Sequence, residues 1–236
     1  MALPNTHYGA EKIGALLSGR PRLFFDGIGG ISMNALAHIS HLQGFDVSGY
    51  DRTPSPITET LEKMCIPVYY TASESHLYDR DALIYTVAMG EDNPEYHYAV
   101  THGIPVISRA DFLGYLMHGF THRIGVSGTH GKSTTTGMLS QILTAALVDP
   151  TVIGGAEMKQ SGSVDIIGSR EYFAFEACEY MDSFLDFYPT VAVVLNIEWD
   201  HVDYFPSLDA IRTSFTAFMN KTGTDGYAVV NADDAD

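Results

Sequence analysis

Cysteine is scarce: the 236-residue chain has two, Cys65 and Cys178, far apart and in no C-x-x-C pair. That excludes a disulfide scaffold or a cysteine zinc site and fits a reducing compartment. Basic side chains are also few, 13 Lys and Arg against 29 Asp and Glu, for a formal net charge of −16. An acidic balance of this size excludes a broad electrostatic grip on nucleic acid or on an anionic membrane. A local phosphate pocket is still open to it, because backbone N–H groups bind anions without net charge. No apolar run approaches the ~18 residues of a membrane span. The opening MALPNTHYGAEK lacks the basic and apolar regions of a signal peptide. The expectation is a soluble, cytoplasmic protein. What the chain does have is apolar side chain, 45 % of its residues, enough to core one or two domains.

Short apolar runs alternate with amphipathic stretches. Strands are expected at 22–28, 45–50, 82–87 and 103–107, with helices at 32–43, 57–64, 94–101 and 110–117 between and after them. Near residues 119–122 the pattern restarts. Strands follow at 123–127, 152–154, 171–176, 191–196 and 227–231, with helices at 133–147 and 208–220. Strands alternating with helices imply βαβ units and mainly parallel sheets, hence an α/β fold in two domains, 1–120 and 121–236.

The stretch Gly125-Val-Ser-Gly128-Thr129-His130-Gly131-Lys132-Ser133-Thr134 follows an apolar strand and opens a long helix. This is the context of a phosphate loop, in which glycines let backbone N–H groups face a polyphosphate at a helix N-terminus. Lys132 supplies a point charge for the β/γ-phosphates, and Ser133 or Thr134 a hydroxyl for Mg²⁺. Val126 stands where the strict G-x-x-x-x-G-K-[ST] pattern has its first glycine. The expectation is ATP or GTP binding, with Gly128, Thr129, His130, Gly131, Lys132, Ser133 and Thr134 at the nucleotide. Downstream, Glu176 and His201 each sit just past an expected strand, where ligands gather in parallel sheets.

An earlier turn, Gly27-Ile-Gly29-Gly30-Ile31-Ser32, reads G-x-G-x-x-S, with Asp51 closing the next strand. The spacing resembles a dinucleotide fingerprint and leaves three readings open: NAD(P), another nucleotide diphosphate, or a structural turn.

Taken together, the motifs GIGGISM (27–33), VSGYD (47–51), DNPE (92–95), GVSGTHGKSTTT (125–136), EACEYMDS (176–183), NIEWDH (196–201) and VNADD (230–234) resemble the Mur ligase family. GTHGK is similar to the branch that adds L-alanine. The resemblance implies a Rossmann-like domain holding a UDP-sugar, followed by a P-loop-like domain holding ATP and Mg²⁺. It also implies a third domain, which this sequence does not contain, so the chain alone is expected to show negligible turnover.

The implied chemistry belongs to peptidoglycan synthesis. ATP phosphorylates the lactyl carboxylate of UDP-N-acetylmuramate, and the amine of L-alanine attacks the acyl phosphate. Residue by residue, the resemblance places Lys132 at the transferred phosphate, and Ser133 or Thr134 with Glu176 on Mg²⁺. His201 falls on a second Mg²⁺, Gly27, Gly29 and Gly30 at the UDP pyrophosphate, and Asp51 toward the uridine. Cys178 and Tyr180 depart from many relatives. Rival readings are an NAD(P)-dependent dehydrogenase, a non-catalytic binding module, and a related muropeptide ligase.

Overall fold

The first strand, β1 (Arg22–Asp26), is buried at every position after Arg22. Strands covered on both faces read as continuous apolar runs, which is why LFF marks the sheet's centre. In the computed structural model, which describes residues 3–19, 21–86, 88–158 and 163–234, β1 pairs in parallel with β2 (Asp46–Tyr50) and β4 (Ala82–Tyr85). A two-residue β3 (Val68–Tyr69) and β5 (Val106–Ser108) flank them, in the order β3-β2-β1-β4-β5, all parallel. Val87, expected to end the third strand, lies outside the described residues.

The helices follow the sequence punctuation. Helix α1 (Ala10–Leu16) precedes the sheet. Helix α2 (Ile31–Leu42) packs Met33, Leu36, Ala37 and Ile39 inward. Helix α3 (Pro56–Lys63) starts on a reciprocal Ser55–Thr58 capping box with proline at its first turn. Helix α4 (Pro94–His102) is capped by Asn93 and stops at left-handed Gly103. That glycine therefore ends a helix rather than beginning a strand, and β5 starts three residues later. Helix α5 (Arg109–Met117) completes the set.

The contacts gather Met1–Leu116 into one compact unit and Met117–Asp236 into a second. Phe120 belongs to the second unit because its ring stacks on Phe173, with centroids 4.7 Å apart.

The second unit is built on β6 (His122–Ser127), which leads into α6 (Lys132–Ala145). Further on come β7 (Thr151–Met158), β8 (Ser163–Ile166), β9 (Tyr172–Glu176), β10 (Val191–Val194), α7 (Leu208–Asn220) and β11 (Tyr227–Val230). The order is β11-β10-β6-β9-β7-β8, parallel except for the antiparallel β7–β8 hairpin at one edge. Phe173, Phe175, Phe184, Phe215 and Phe218 form the buried aromatic core. Register aligns the ends of the central strands, Val126 with Glu176 and Ser127 with Val194. The loops leaving β6, β9 and β10 therefore emerge side by side. Among the described residues no helix is long and apolar enough to cross a membrane.

Candidate functional site

At the end of β6 the chain turns through Gly128, at φ 139°, and Gly131, at φ 86°. Both lie in the region glycine favours. A Cβ on Gly128 would also come within 3.0 Å of Leu195 Cβ. The loop is tied to the chain leaving β10. The Thr129 N–H donates to the Asn196 carbonyl at 3.1 Å. The His130 N–H donates to Asn196 Oδ1 at 2.9 Å, and Asn196 Nδ2 donates to the His130 carbonyl at 3.1 Å. Thr129 Oγ1 in turn accepts from the Glu198 N–H at 2.8 Å. Thr129 and His130 thus turn their N–H groups toward Asn196 and not toward a ligand.

The first backbone hydrogen bond of α6 runs from the Thr135 N–H to the Gly131 carbonyl. The N–H groups of Gly131, Lys132, Ser133 and Thr134 consequently take no acceptor among the described residues. Such orphan donors, with the positive end of the helix dipole, form an anion site.

Lys132 folds back over this turn. Its Nζ donates to the Gly128 carbonyl at 2.6 Å and to Glu179 Oε2 at 3.0 Å. Glu179 is 1 % exposed, and His201 Nε2 stands 3.6 Å from its other oxygen. A carboxylate buried this deeply needs such partners. Ser133 Oγ donates to Glu176 Oε2 at 3.1 Å. A hydroxyl and a carboxylate oxygen are the hard donors that suit Mg²⁺.

The predicted ligands thus fall apart, Ser133 beside Glu176 and His201 beside Glu179, which was not among them; Thr134 is exposed next to Ser133. Among the described residues no cluster of three His, Cys, Asp or Glu is arranged to hold a metal. Glu179 was not singled out from the sequence. The signal was a second glutamate three residues past Glu176, and its burial arises only from tertiary packing.

Around His201 the backbone is left-handed at Met181, Asp182 and His201 itself. Two tyrosine–aspartate hydrogen bonds cross between these segments, Tyr180 to Asp203 and Tyr204 to Asp182, each 2.8 Å. Ser214 also donates to Asp182. Burial, and after it the hydrogen bond to Asp182, pushes the Tyr204 phenol up to about 12. The Tyr180 ring packs 4.7 Å from the His201 ring and helps to seat the imidazole.

The first unit has its own cavity, about 560 Å³, at the carboxyl ends of β1, β2 and β4. The strand order reverses there, between β1 and β4, the place where α/β sheets bind ligands. Asp26, Asp51, Arg52, Thr86 and Asn93 are among its walls.

The glycine turn beside it is engaged internally. Gly27 donates to the Tyr50 carbonyl at 2.8 Å and Gly30 to the Gly27 carbonyl at 2.9 Å. Gly29 donates to Asp51 Oδ2 at 2.8 Å. A Cβ on Gly29 would lie 2.7 Å from that same oxygen. The glycines therefore permit close approach by Asp51. Among the described residues the N–H groups of Ile31, Ser32 and Met33 take no acceptor at the start of α2, the first helical bond being Asn34 to Gly30, so they are available to an anion.

Comparison with known proteins agrees with this geometry. Residues 24–121 match the Mur ligase family, catalytic domain, and residues 126–236 match the Mur ligase middle domain. The chain is 49 % identical over 213 residues to UDP-N-acetylmuramate–L-alanine ligase of Caldicellulosiruptor bescii, covering 90 % of this chain and 47 % of that protein. It is 48 % identical to the ligase of the same name from Acetivibrio thermocellus, covering 89 % and 45 %. The chain thus spans about half the length of the curated relatives it matches.

Among solved structures, UDP-N-acetylmuramate–alanine ligase of Thermotoga maritima superposes with a TM-score of 0.79 at 29 % identity, covering 91 % of this chain and 50 % of that one. UDP-N-acetylmuramate:L-alanyl-γ-D-glutamyl-meso-diaminopimelate ligase of Neisseria meningitides superposes with a TM-score of 0.78 at 28 % identity, covering 92 % and 73 %. Two successive domains of one family, matched in order from residue 24 to residue 236, account for both sheets and both glycine turns: the chain belongs to the Mur ligase family.

Proposed function

We propose that this chain is the nucleotide-sugar- and ATP-binding part of a cytoplasmic ligase that joins L-alanine to UDP-N-acetylmuramate in peptidoglycan synthesis. The observation that carries the reading is the start of α6. There, four unengaged N–H groups converge with Lys132 Nζ and the Ser133–Glu176 pair. A triphosphate on those N–H groups draws Lys132 from Glu179 toward its β/γ-oxygens, where the cation offsets charge during transfer.

In the step itself, the lactyl carboxylate oxygen attacks the γ-phosphorus and ADP leaves. The amine of L-alanine then attacks the acyl carbon, the phosphate departs with its bonding pair, and the amine gives up a proton. A carboxylate becomes an acyl donor only once its oxygen is a phosphate leaving group, so positioning and charge neutralisation are the protein's contributions. Ser133, Thr134 and Glu176 would hold Mg²⁺, which when bound neutralises phosphate charge; His201 and Glu179 would hold a second cation. The first unit's cavity takes the UDP-sugar, with the diphosphate at Ile31–Met33 and the uridine end toward Asp51. The identities of 49 % and 48 % to curated alanine ligases support L-alanine as the amine.

The test is calorimetric titration of the chain with ATP and Mg²⁺, and separately with UDP and NADH. ATP is expected to bind saturably, and about tenfold to a hundredfold more weakly in Lys132→Ala, the effect of losing one charge-assisted contact. UDP binds and NADH does not. A folded chain that ignores ATP, or that prefers NADH to UDP, overturns the reading.

A further inference from the structure

Asp26 ends β1 opposite Tyr50 and is 4 % exposed at the floor of the first unit's cavity. Asn93 Nδ2 donates to its Oδ2 at 2.7 Å, while Asn93 Oδ1 accepts from the Tyr96 N–H and caps α4. Behind it lies Glu95, fully buried, which accepts from the Ser73 N–H at 2.9 Å and faces His76 Nδ1 at 3.2 Å. Glu95 Oε2 is buried without a partner. Asp51, bound to Gly29, and the rim residues Arg52 and Asp92 are the other charged groups facing the cavity. The cavity wall thus gathers Asp26, Asp51 and Asp92, with Glu95 buried behind it, where the proposed function admits a doubly anionic nucleotide sugar. No Lys or Arg side chain contacts Asp26 among the described residues.

We infer that Asp26 makes this cavity selective by protonation: a nucleoside-diphosphate sugar enters against the neutral carboxylic acid, and its binding takes up one proton at Asp26. The inference rests on the nucleotide-sugar reading of this cavity. Oδ2 is engaged by Asn93, which leaves Oδ1 to carry the proton, taken from solvent, and to donate it toward a ligand oxygen. Burial, and after it the charge of Glu95, pushes the carboxyl up to about 7; the Asn93 hydrogen bond opposes the rise and Asp51 adds to it. Both forms are therefore populated near neutrality, whereas the diphosphate diester keeps its two charges throughout that range. If only the protonated form is competent, apparent affinity scales with its population and falls about tenfold between pH 6 and pH 8. A carboxylate that merely anchors Asn93 and α4 would leave the affinity flat.

The test is calorimetry of the chain with UDP-N-acetylmuramate at pH 6, 7 and 8, each in two buffers of different ionisation enthalpy, for the wild type and Asp26→Asn. The wild type is expected to bind about tenfold more weakly at pH 8 than at pH 6 and to take up close to one proton at pH 8. Asp26→Asn, an uncharged isostere, is expected to bind with no pH dependence and no proton uptake. The buffer dependence of the wild type decides the matter even where the variant folds poorly. Binding that is flat from pH 6 to 8 without uptake overturns the inference and leaves the nucleotide-sugar reading standing. A pH dependence that survives in Asp26→Asn also overturns it and moves the proton to another group. A folded chain that binds the sugar nucleotide at no pH removes the reading and the inference together.

Discussion

Lys132 and Glu179 form the ion pair on which the proposed phosphate site turns, with side chains 16 % and 2 % exposed. At that depth the pair contributes little net stability, but each charge without the other is costly. Glu179→Ala is expected to destabilise the fold by about 2–4 kcal/mol, because Lys132 keeps only its carbonyl acceptors. In the double variant with Lys132→Ala the cost falls short of the sum by roughly 1–3 kcal/mol, read as a coupling energy from urea denaturation. Strict additivity would show that the two side chains do not pair in solution.

The same residues mark what a sequence conveys at this scale. Lys132 and Ser133 were legible because GKS stands at a strand-to-helix junction, a local pattern. Glu179 was not, since its role comes from its burial. Nor was the direction of the first glycine turn, whose N–H groups face Tyr50, Asp51 and Gly27, acceptors supplied by β2 and the turn itself.

Segments show the same division between local and distant causes. Helices α3, α4 and α7 begin where the side chains say they should: Ser55, Asn93 and Ser207 each accept an N–H from the first turn. Helix α1 escaped notice because Ile13 is the one residue buried in it, too narrow a stripe to show periodicity. It is seated from far away by Asp111, whose carboxylate accepts from Thr6 Oγ1 and the Gly9 N–H. Strand β8 is likewise defined by pairing with β7 rather than by any pattern of its own.

The phosphate loop is the functional instance, since Asn196 beyond β10 shapes a turn 66 residues earlier. Asn196→Ala removes both side-chain bonds to His130 and is expected to cost about 1–3 kcal/mol. It should also raise hydrogen exchange at the His130 amide and weaken ATP binding several-fold. Unchanged exchange there would mean that the glycines alone hold the loop.

At the scale of the whole chain, one parallel and one mainly parallel sheet each place a helix N-terminus beside an acidic wall, in a molecule whose net charge is −16. With so little long-range attraction for phosphate, the proposed binding relies on the few N–H groups at α2 and α6. This predicts a footprint more specific than an affinity. In hydrogen exchange by mass spectrometry, UDP-N-acetylmuramate should slow exchange in residues 26–34, 50–53 and 86–93, and ATP with Mg²⁺ in residues 128–136 and 176–179. At 100-fold excess over its dissociation constant, a ligand adds about 2.7 kcal/mol to the state that holds it, roughly a hundredfold in the opening equilibrium of the protected segment. A shift of that size is well within reach of the measurement. Because each site is assembled inside one unit, protection from the sugar nucleotide should concentrate before Leu116 and that from ATP after it. The reverse distribution, or protection by ATP confined to the first glycine turn, would mean that the two anion sites have been assigned to the wrong sheets.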